Sequence, residues 1–448
     1  MVKVDTAKVF TFMILSMKQL ARRCNFPMSM TQNAVFFRVL AILALAGSIG
    51  QTGQARNWGH WRGEGGNSIS TDATPPTSWG PTRNIKWKSS IPGRGSSSPI
   101  VWNEQIFVTS AVPSTNSTYE FTLFCFDRKT GQQDWKRVAT VGQPHEGTHS
   151  TNGFASASPC TDGEHVYAQF GSRGLYCYTL KGQLVWKRTD FPEMTMRGTF
   201  GEGSSPTLAG DLLIVPCDHE GQSALYALKT TTGETVWETK RDEPSCWATP
   251  LVMESDGKTQ IIMNGENFAR AYDASNGNEL WRCGGQTQRP VACAVGAEGV
   301  VYVGSGFRGS YLGAFRTNEL GNIESSDAVL WSVNRDTPDI ASPLLSKGRL
   351  YYHKGKTGML TCLDSKTGNP HYTTTRIPGI KSTYASPVAA GGHVYVTGRG
   401  GTTVVLKDSN QFEIVSSNTV GEPVDATPAI EGSELFIRGQ NHLFCISE

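Results

Sequence analysis

The stretch Leu123–Trp135, which reads LFCFDRKTGQQDW, carries the pattern that decides the fold. Its first four residues are apolar or aromatic and suit a buried strand. A tight turn follows, in which Asp127 can bond the turn amides and Gly131 can adopt a positive φ. Trp135 then lies on a second strand. The stretch therefore predicts an antiparallel hairpin.

The hairpin belongs to a unit that recurs along the chain. Similar turns occur at 273–277 and 364–368, and the last strand of six units carries an aromatic residue: Trp135, Trp186, Trp237, Trp281, Trp331 and Tyr372. A small pair followed by Pro opens the units at 97, 157, 204, 248, 341, 385 and 426, and Pro290-Val291-Ala292 reads as a degraded copy. Eight units of about 44 residues match propeller blades. The sequence predicts an all-β, eight-bladed β-propeller of four-stranded antiparallel blades.

The two ends of the repeat array complement each other. The eighth unit ends at Glu448 after three strands and lacks an aromatic fourth strand. Residues 84–88, which include Trp87, form such a strand ahead of the first unit. Pairing this N-terminal strand into the last blade would close the ring and remove two exposed edges. Trp87 is then expected to pack as the other blade tryptophans do.

The first 55 residues differ in character from the rest. Basic residues precede a short apolar run at 39–47, and small residues end the segment at Gly53-Gln54-Ala55. This order predicts a leader cleaved after Ala55 and a periplasmic or secreted protein without a later transmembrane segment. Met28 or Met30 as the true start, and an uncleaved membrane anchor, are alternatives. We then expect a pre-propeller segment at 56–83 and the propeller at 84–448.

The amino-acid composition argues against several classes of protein. The chain has 448 residues, 49 Gly, 18% charged residues and a net charge of +2, which gives no case for nucleic-acid binding by charge. Ten cysteines are too few for a disulfide framework. Four of them share one repeat position and are expected to be small buried residues: Cys125, Cys177, Cys362 and Cys445. Cys283 and Cys293 flank a blade junction, where a disulfide is allowed.

Two groups of polar residues are candidate binding sites. The connections that precede the first strands of units two and four should lie at one mouth of the channel, and they contain His149, Asn152, Arg241, Glu243 and Trp247. These side chains could bind a ligand or an acidic partner. Hydrogen-bonded loops, a salt-bridged connection and tryptophan packing are the structural alternatives.

The second group follows a strand of the third unit. Asp218 and Glu220 flank His219 there, so acid–base or metal chemistry is conceivable, and a solvated hairpin tip is the alternative. We treat Asp218 and Glu220 as candidate residues for binding a ligand or partner. We assign no catalytic residue and no metal ligand.

The repeated order Ser/Ala-Ser/Thr-Pro, then Leu-Tyr-Ala-Leu, then Asp-x-x-Thr-Gly and Trp resembles the pyrroloquinoline-quinone (PQQ)-like propeller repeat. That repeat occurs in quinoprotein dehydrogenases and in the scaffold lipoprotein of the outer-membrane assembly machine. The chain also resembles a group of exported propeller proteins of planctomycetes and their relatives in three segments: Trp58–Gly63 (WGHWRG), His149–Pro159 and Arg241–Pro250. The resemblance implies an enzyme, a receptor or a scaffold, because propellers host all three.

The dehydrogenases of this group use PQQ with calcium, and many carry two adjacent cysteines. This chain has no Cys-Cys pair, no CxxCH haem site and no long acidic insertion. We therefore expect a monomeric, exported, non-catalytic binding or scaffold protein without a cofactor. Its partner would be an envelope protein, a peptide or a saccharide, and not a nucleic acid. A PQQ- and calcium-dependent oxidoreductase and a carbohydrate-binding propeller are the alternatives.

Overall fold

Short apolar strands joined by tight turns build every sheet of the protein. The computed structural model describes residues 57–448, in which eight sheets form the blades of a ring. Each blade begins with an inner strand beside the channel. The strands of blade 1 are Ile100–Trp102, Gln105–Pro113, Tyr119–Asp127 and Gln133–Gly142. Those of blade 2 are Cys160–Thr161, His165–Gln169, Leu175–Thr179 and Leu184–Arg188. The leader and cleavage site predicted for residues 1–55 lie outside the described residues.

Blades 3 to 5 follow the same order. Blade 3 contains Thr207–Ala209, Leu212–Cys217, Ser223–Lys229 and Thr235–Arg241. Blade 4 contains Leu251–Ser255, Lys258–Met263, Ala269–Asp273 and Glu279–Cys283, and Gly321–Asn322 adds a parallel fifth strand. Blade 5 contains Val295–Ala297, Val300–Ser305, Tyr311–Arg316 and Val329–Val333.

Blades 6 to 8 complete the ring. Blade 6 contains Leu344–Ser346, Arg349–His353, Met359–Asp364 and Pro370–Arg376. Blade 7 contains Val388–Ala390, His393–Thr397, Thr402–Lys407 and Ile414–Thr419, with Ile69–Ser70 as a parallel fifth strand. Blade 8 contains Ala429–Glu431, Glu434–Arg438, His442–Ile446 and Ile85–Ser90. Helical turns occur at Glu64–Gly66, Gly171–Arg173 and Arg197–Thr199.

The N-terminal strand closes the ring, as predicted. Ile85–Ser90 pairs antiparallel with His442–Ile446, and Trp87 lies opposite Cys445. The same pairing of a small residue with an aromatic recurs in other blades, as Cys125 with Trp135 and Cys177 with Trp186. The repeated cysteines are therefore small buried residues facing a large one. All nine cysteines of residues 57–448 are free thiols, so Cys283 and Cys293 form no disulfide.

The blade tryptophans join each blade to the next. Most donate their indole N–H to a carbonyl on the hairpin turn of the next blade, as Trp135 does to Leu180 at 3.1 Å and Trp186 to Thr230 at 2.8 Å. Trp281 differs, because its indole bonds Gln260 in its own blade, and Gln260 donates to the blade 5 carbonyl of Thr317. The repeated tryptophans therefore connect neighbouring blades and also pack in the core.

The small-pair motif closes a second ring around the channel. The middle residue of each motif accepts a hydrogen bond from the backbone N–H of its counterpart in the preceding blade, over donor–acceptor distances of 2.8–3.1 Å. The members of this inner ring are Ser98, Ser158, Ser205, Thr249, Cys293, Ser342, Ser386 and Thr427. Each buried N–H thus gains the partner that it needs.

The inner ring corrects the position of the fifth motif. We expected that copy at Pro290-Val291-Ala292, whereas Cys293 occupies the hydroxyl position in the ring. The structural copy is therefore Ala292-Cys293-Ala294, two residues later. A thiol can accept a weak hydrogen bond, so cysteine substitutes for serine where the sequence pattern does not reveal it.

The pre-propeller segment covers one end of the channel. Trp58 exchanges two backbone hydrogen bonds with Val101 of blade 1, and the buried Arg62 donates to the carbonyl of Pro343 in blade 6 at 2.5 Å. Asn67 bonds Gly296 of blade 5 in both directions. A segment bound to inner strands on opposite sides of the ring must cross the channel. Burial lowers the pKa of His60 in this segment to about 3, so its imidazole is neutral.

Candidate functional site

A funnel occupies the other end of the channel. Its wall contains the residue immediately before the small-pair motif of every blade: Ser96, Ser156, Gly203, Trp247, Val291, Ile340, Tyr384 and Asp425. These residues come before the small-pair motif of each blade. The pre-propeller segment instead bonds the last residue of the motif or residues after it, so the two features lie at opposite ends of the channel. The funnel has a volume of about 290 Å³ and takes side chains from all eight blades.

Two arginines at or beside the funnel wall contact aromatic rings. The guanidinium of Arg289 lies 3.9 Å from the ring centroid of Phe307 and 5.7 Å from that of Phe200. Arg399, beside the funnel, lies 3.9 Å from the ring centroid of Tyr384. Such cation–π contacts stabilise the packed arrangement of these side chains.

The two arginines are also held by carboxylates. Arg289 donates to both oxygens of Asp339 at 2.9 and 3.2 Å, and Arg399 donates to both oxygens of Asp425 at 2.6 and 2.9 Å. Arg289 has a φ of 55°, a left-handed conformation that costs a non-glycine residue about 1–2 kcal/mol. The surrounding contacts therefore fix the position of this side chain.

The structure places three of the sequence-predicted site residues in the funnel. His149, Asn152 and Trp247 line it together. The His149 ring meets Phe200 edge-on at 5.3 Å between centroids. Asn152 donates to the carbonyl of Phe200 at 2.8 Å, and the indole of Trp247 donates to the carbonyl of Gly201 at 2.6 Å. The repeat argument thus brought residues of blades 2 and 4 to one mouth.

Arg241 and Asp218 do not lie at this mouth as exposed binding groups. Arg241 is buried at the end of blade 3 and donates to both carboxylate oxygens of Asp218, at 2.8 and 3.0 Å. It also donates to the hydroxyl of Tyr272 at 2.5 Å. Burial raises the pKa of Asp218, which the Arg241 charge opposes. The solvated hairpin tip, given above as the structural alternative for Asp218, is wrong. Arg241 forms a buried ion pair and is not exposed at the mouth, which agrees with the salt-bridged connection given as the alternative for its segment.

Glu243 and Glu220 also have structural partners. Glu243 is buried and accepts hydrogen bonds from Arg270 at 2.7 Å and from the backbone N–H groups of Asn267 and Phe268. Glu220 is exposed, and it bonds Ser245 and forms an ion pair with Arg197 at 3.1 Å. Their positions in the sequence suggest that both carboxylates lie near the mouth. In the structure, however, residues from other parts of the ring already bond to them.

Several funnel residues escaped the sequence analysis, among them Phe200, Arg289, Phe307, Lys356 and Tyr384. Tyr384 could have been found by reading the residue before each motif copy. Arg289 precedes the fifth motif copy, which the sequence analysis placed two residues too early, and Phe307 lies between the second and third strands of blade 5, a connection that the sequence analysis did not examine. Their convergence is visible only in the folded ring.

The funnel does not fit a calcium-bound quinone. Calcium takes 6–8 oxygen ligands, mostly from carboxylates and carbonyls. Within residues 57–448, Asp425 is the carboxylate that lines the funnel, and Arg399 occupies both of its oxygens. The same residues contain no group of three or more His, Cys, Asp or Glu arranged to hold a metal.

The described part of the chain contains no helix that is long and apolar enough to span a membrane.

Solved structures resemble this fold. BamB from Moraxella catarrhalis is 11% identical, covers 81% of this chain and 99% of its own, and gives a TM-score of 0.54. Quinohemoprotein alcohol dehydrogenase from Comamonas testosteroni is 10% identical, covers 87% of this chain and 80% of its own, and gives a TM-score of 0.61. At these identities the likeness concerns the fold alone. No curated protein matches the chain in sequence.

A family model matches nearly all of the described chain. The model described as "Outer membrane protein assembly factor BamB" matches residues 55–198, 181–304 and 265–448. These overlapping matches cover the pre-propeller segment and all eight blades. The repeat pattern, the inner ring and the closed eight-bladed fold agree with that match. The chain belongs to the PQQ-like propeller repeat proteins represented by the outer membrane protein assembly factor BamB family.

Proposed function

We propose that this protein is an exported, non-catalytic scaffold of the cell envelope, and that its funnel binds a segment of a protein partner. The observation that carries the proposal is the funnel wall, where Trp247, Tyr384, Phe307 and Arg289 converge from four different blade connections. Tryptophan, tyrosine and arginine dominate the binding energy of protein interfaces.

The wall is also rigid before binding. Arg289 and Arg399 are each fixed by a bidentate carboxylate and an aromatic face, and the indole N–H of Trp247 is bonded to a backbone carbonyl. Groups that are already ordered lose little conformational entropy on association. The family match to an assembly factor supports the same kind of role.

The test is capture of a partner from envelope extract by the immobilised protein and by its Trp247→Ala and Tyr384→Ala variants. We expect the wild type to retain a discrete envelope protein, and each variant to weaken its binding tenfold or more, equivalent to about 1.4 kcal/mol. Leu320→Ala is the matched control, because Leu320 is 70% exposed away from the funnel. Equal retention by the funnel variants and the control would refute the funnel as the binding site.

The same preparations distinguish the alternatives. Reconstitution with PQQ and calcium, followed by dye-linked dehydrogenase assays, tests the oxidoreductase. Binding of soluble envelope polysaccharide, again lost in Trp247→Ala, tests the carbohydrate-binding propeller. Either positive result without a captured protein would overturn the scaffold proposal.

A further inference from the structure

A second cavity lies beside the funnel, between blades 8 and 1. It has a volume of about 240 Å³, and we call it the side cavity; its wall includes Arg94, Gly95, Arg399, Arg438, Gly439 and Gln440. It shares Ser96, Thr151 and Asp425 with the funnel. Its charge differs from the funnel's, because three arginines and one aspartate line it.

Arg438 is the unusual group of this wall. Its side chain is 3% exposed, and one terminal nitrogen donates to the carbonyl of Ser97 at 2.9 Å and to the Ser97 hydroxyl. The Nε atom of Arg438 is buried without a hydrogen-bond partner. No carboxylate within residues 57–448 forms an ion pair with it, and burial lowers its pKa to about 9. The guanidinium therefore remains charged at neutral pH without a counterion from the described chain.

The charge is not needed to join the blades. The bond from Arg438 to Ser97 links the second strand of blade 8 to the first motif residue of blade 1. In blade 1 the neutral hydroxyl of Thr109 makes the corresponding bond to Ala157 at 2.9 Å. After the second strand of blade 4, the amide of Asn264 bonds Ala292 at 3.0 Å. A small neutral donor suffices for this contact, whereas burying an unpaired charge is costly.

The nearby acids are already engaged by other groups. Asp425 is held by Arg399 in a bidentate pair. Glu422 accepts hydrogen bonds from the His442 ring at 2.7 Å and from two backbone N–H groups. Arg94 is exposed at the rim and donates to the carbonyl of Ser150 at 2.5 Å, and no carboxylate of residues 57–448 forms an ion pair with it.

We propose that the side cavity binds a small oxyanion group, a carboxylate or a phosphate, between Arg438 and Arg94. A guanidinium offers several donors in a plane that matches either group. The proposal does not rest on the funnel's role in partner binding, because it depends on other side chains.

The test is titration calorimetry of the purified protein with sodium phosphate, sodium sulfate and sodium acetate, at an ionic strength kept constant with sodium chloride. We expect one-to-one binding of phosphate or acetate with a dissociation constant on the order of 1 mM. Tighter binding of acetate identifies a carboxylate ligand, and tighter binding of phosphate or sulfate identifies a tetrahedral oxyanion. No binding of any of the three would overturn the proposal.

Two variants locate the anion. Arg438→Met should weaken binding at least tenfold and raise the Tm of the ligand-free protein, because it removes a buried unpaired charge. Arg94→Ala should weaken binding without unfolding the exposed rim, and it decides the question if Arg438→Met does not fold. Lys187→Ala, which removes an exposed surface cation of blade 2, and Leu320→Ala should bind the anion as the wild type does. Unchanged affinity in Arg94→Ala and in a folded Arg438→Met would refute the site.

Discussion

The indole N–H of Trp87 donates a 2.9 Å hydrogen bond to the carbonyl of Arg128, and this contact joins the last blade to the first. The turn that receives the indole ends at Gly131, which has a φ of 73°. A Cβ atom at Gly131 would lie 2.5 Å from the Trp87 ring. The turn glycine therefore serves two purposes, since it permits the backbone conformation and leaves room for the neighbouring tryptophan.

Ring closure should depend on Trp87 in two separable ways. Trp87→Phe keeps most of the ring packing but removes the hydrogen bond, so we expect a loss of about 1 kcal/mol in the free energy of unfolding. Trp87→Ala also removes the packing and should cost about 3–5 kcal/mol. Chemical denaturation measures both. Trp135→Phe, at the next blade junction, is the control and should match Trp87→Phe; equal losses for the Phe and Ala variants of Trp87 would contradict this account.

The inner ring makes a prediction about Cys293. Its thiol occupies a position that serine or threonine holds in the other blades, so Cys293→Ser should change the free energy of unfolding by less than about 1 kcal/mol. Ser342→Ala should cost about 1–3 kcal/mol, because it leaves the buried Cys293 N–H without an acceptor. Denaturation in reducing buffer tests both variants. A loss in Cys293→Ser as large as that in Ser342→Ala would show that the thiol has another role.

The Asp218–Arg241 pair should matter for stability rather than for binding at the funnel. Asp218→Ala leaves the Arg241 charge buried without its partner and should cost about 3–5 kcal/mol. Glu413→Ala, on the surface of blade 7, removes an exposed pair with Lys407 and should cost less than about 1 kcal/mol. Thermal unfolding distinguishes the two variants. A small effect of Asp218→Ala would mean that the buried pair is not structural.

The junction of blades 8 and 1 should respond to pH through Glu431. Burial, reinforced by Glu434, raises the pKa of Glu431 to about 7, and Arg128 opposes this shift. The folded state therefore holds a proton that the unfolded state releases above about pH 4.5, so this group's contribution to stability falls as the pH rises from about 4.5 to 7. Glu431→Gln removes the penalty and should be more stable than the wild type by about 1–3 kcal/mol at pH 8.

The control for this pH prediction is Glu319→Gln, because Glu319 is exposed. Unfolding midpoints measured from pH 4 to pH 8 should diverge between Glu431→Gln and the wild type only above about pH 4.5. A constant difference across that range would exclude titration of Glu431 as the cause.

Local patterns in the amino-acid sequence are sufficient to predict the architecture. The eight motif copies, the hairpin turns and the unpaired strand around Trp87 each follow from local periodicity and turn chemistry, and the structure confirms the closed ring built from them. The sequence also predicts that His149 and Trp247 lie at one mouth of the channel, because equivalent connections in a repeat lie on the same face, and both residues line the funnel. These features are local, and a repeat copies local features from one blade to the next.

The pairing of polar side chains, by contrast, is visible only in the folded ring. The Arg241 side chain lies between Asp218 and Tyr272, and the unpaired Arg438 meets Ser97 across the closure, 341 positions away in the chain. Such contacts depend on how adjacent blades pack. A repeat of about 44 residues describes a single blade, so it does not predict which side chains of the adjacent blade will lie against it. Burial then sets the chemistry, because the same guanidinium is a structural ion pair at Arg241 and an unpaired charge beside a cavity at Arg438.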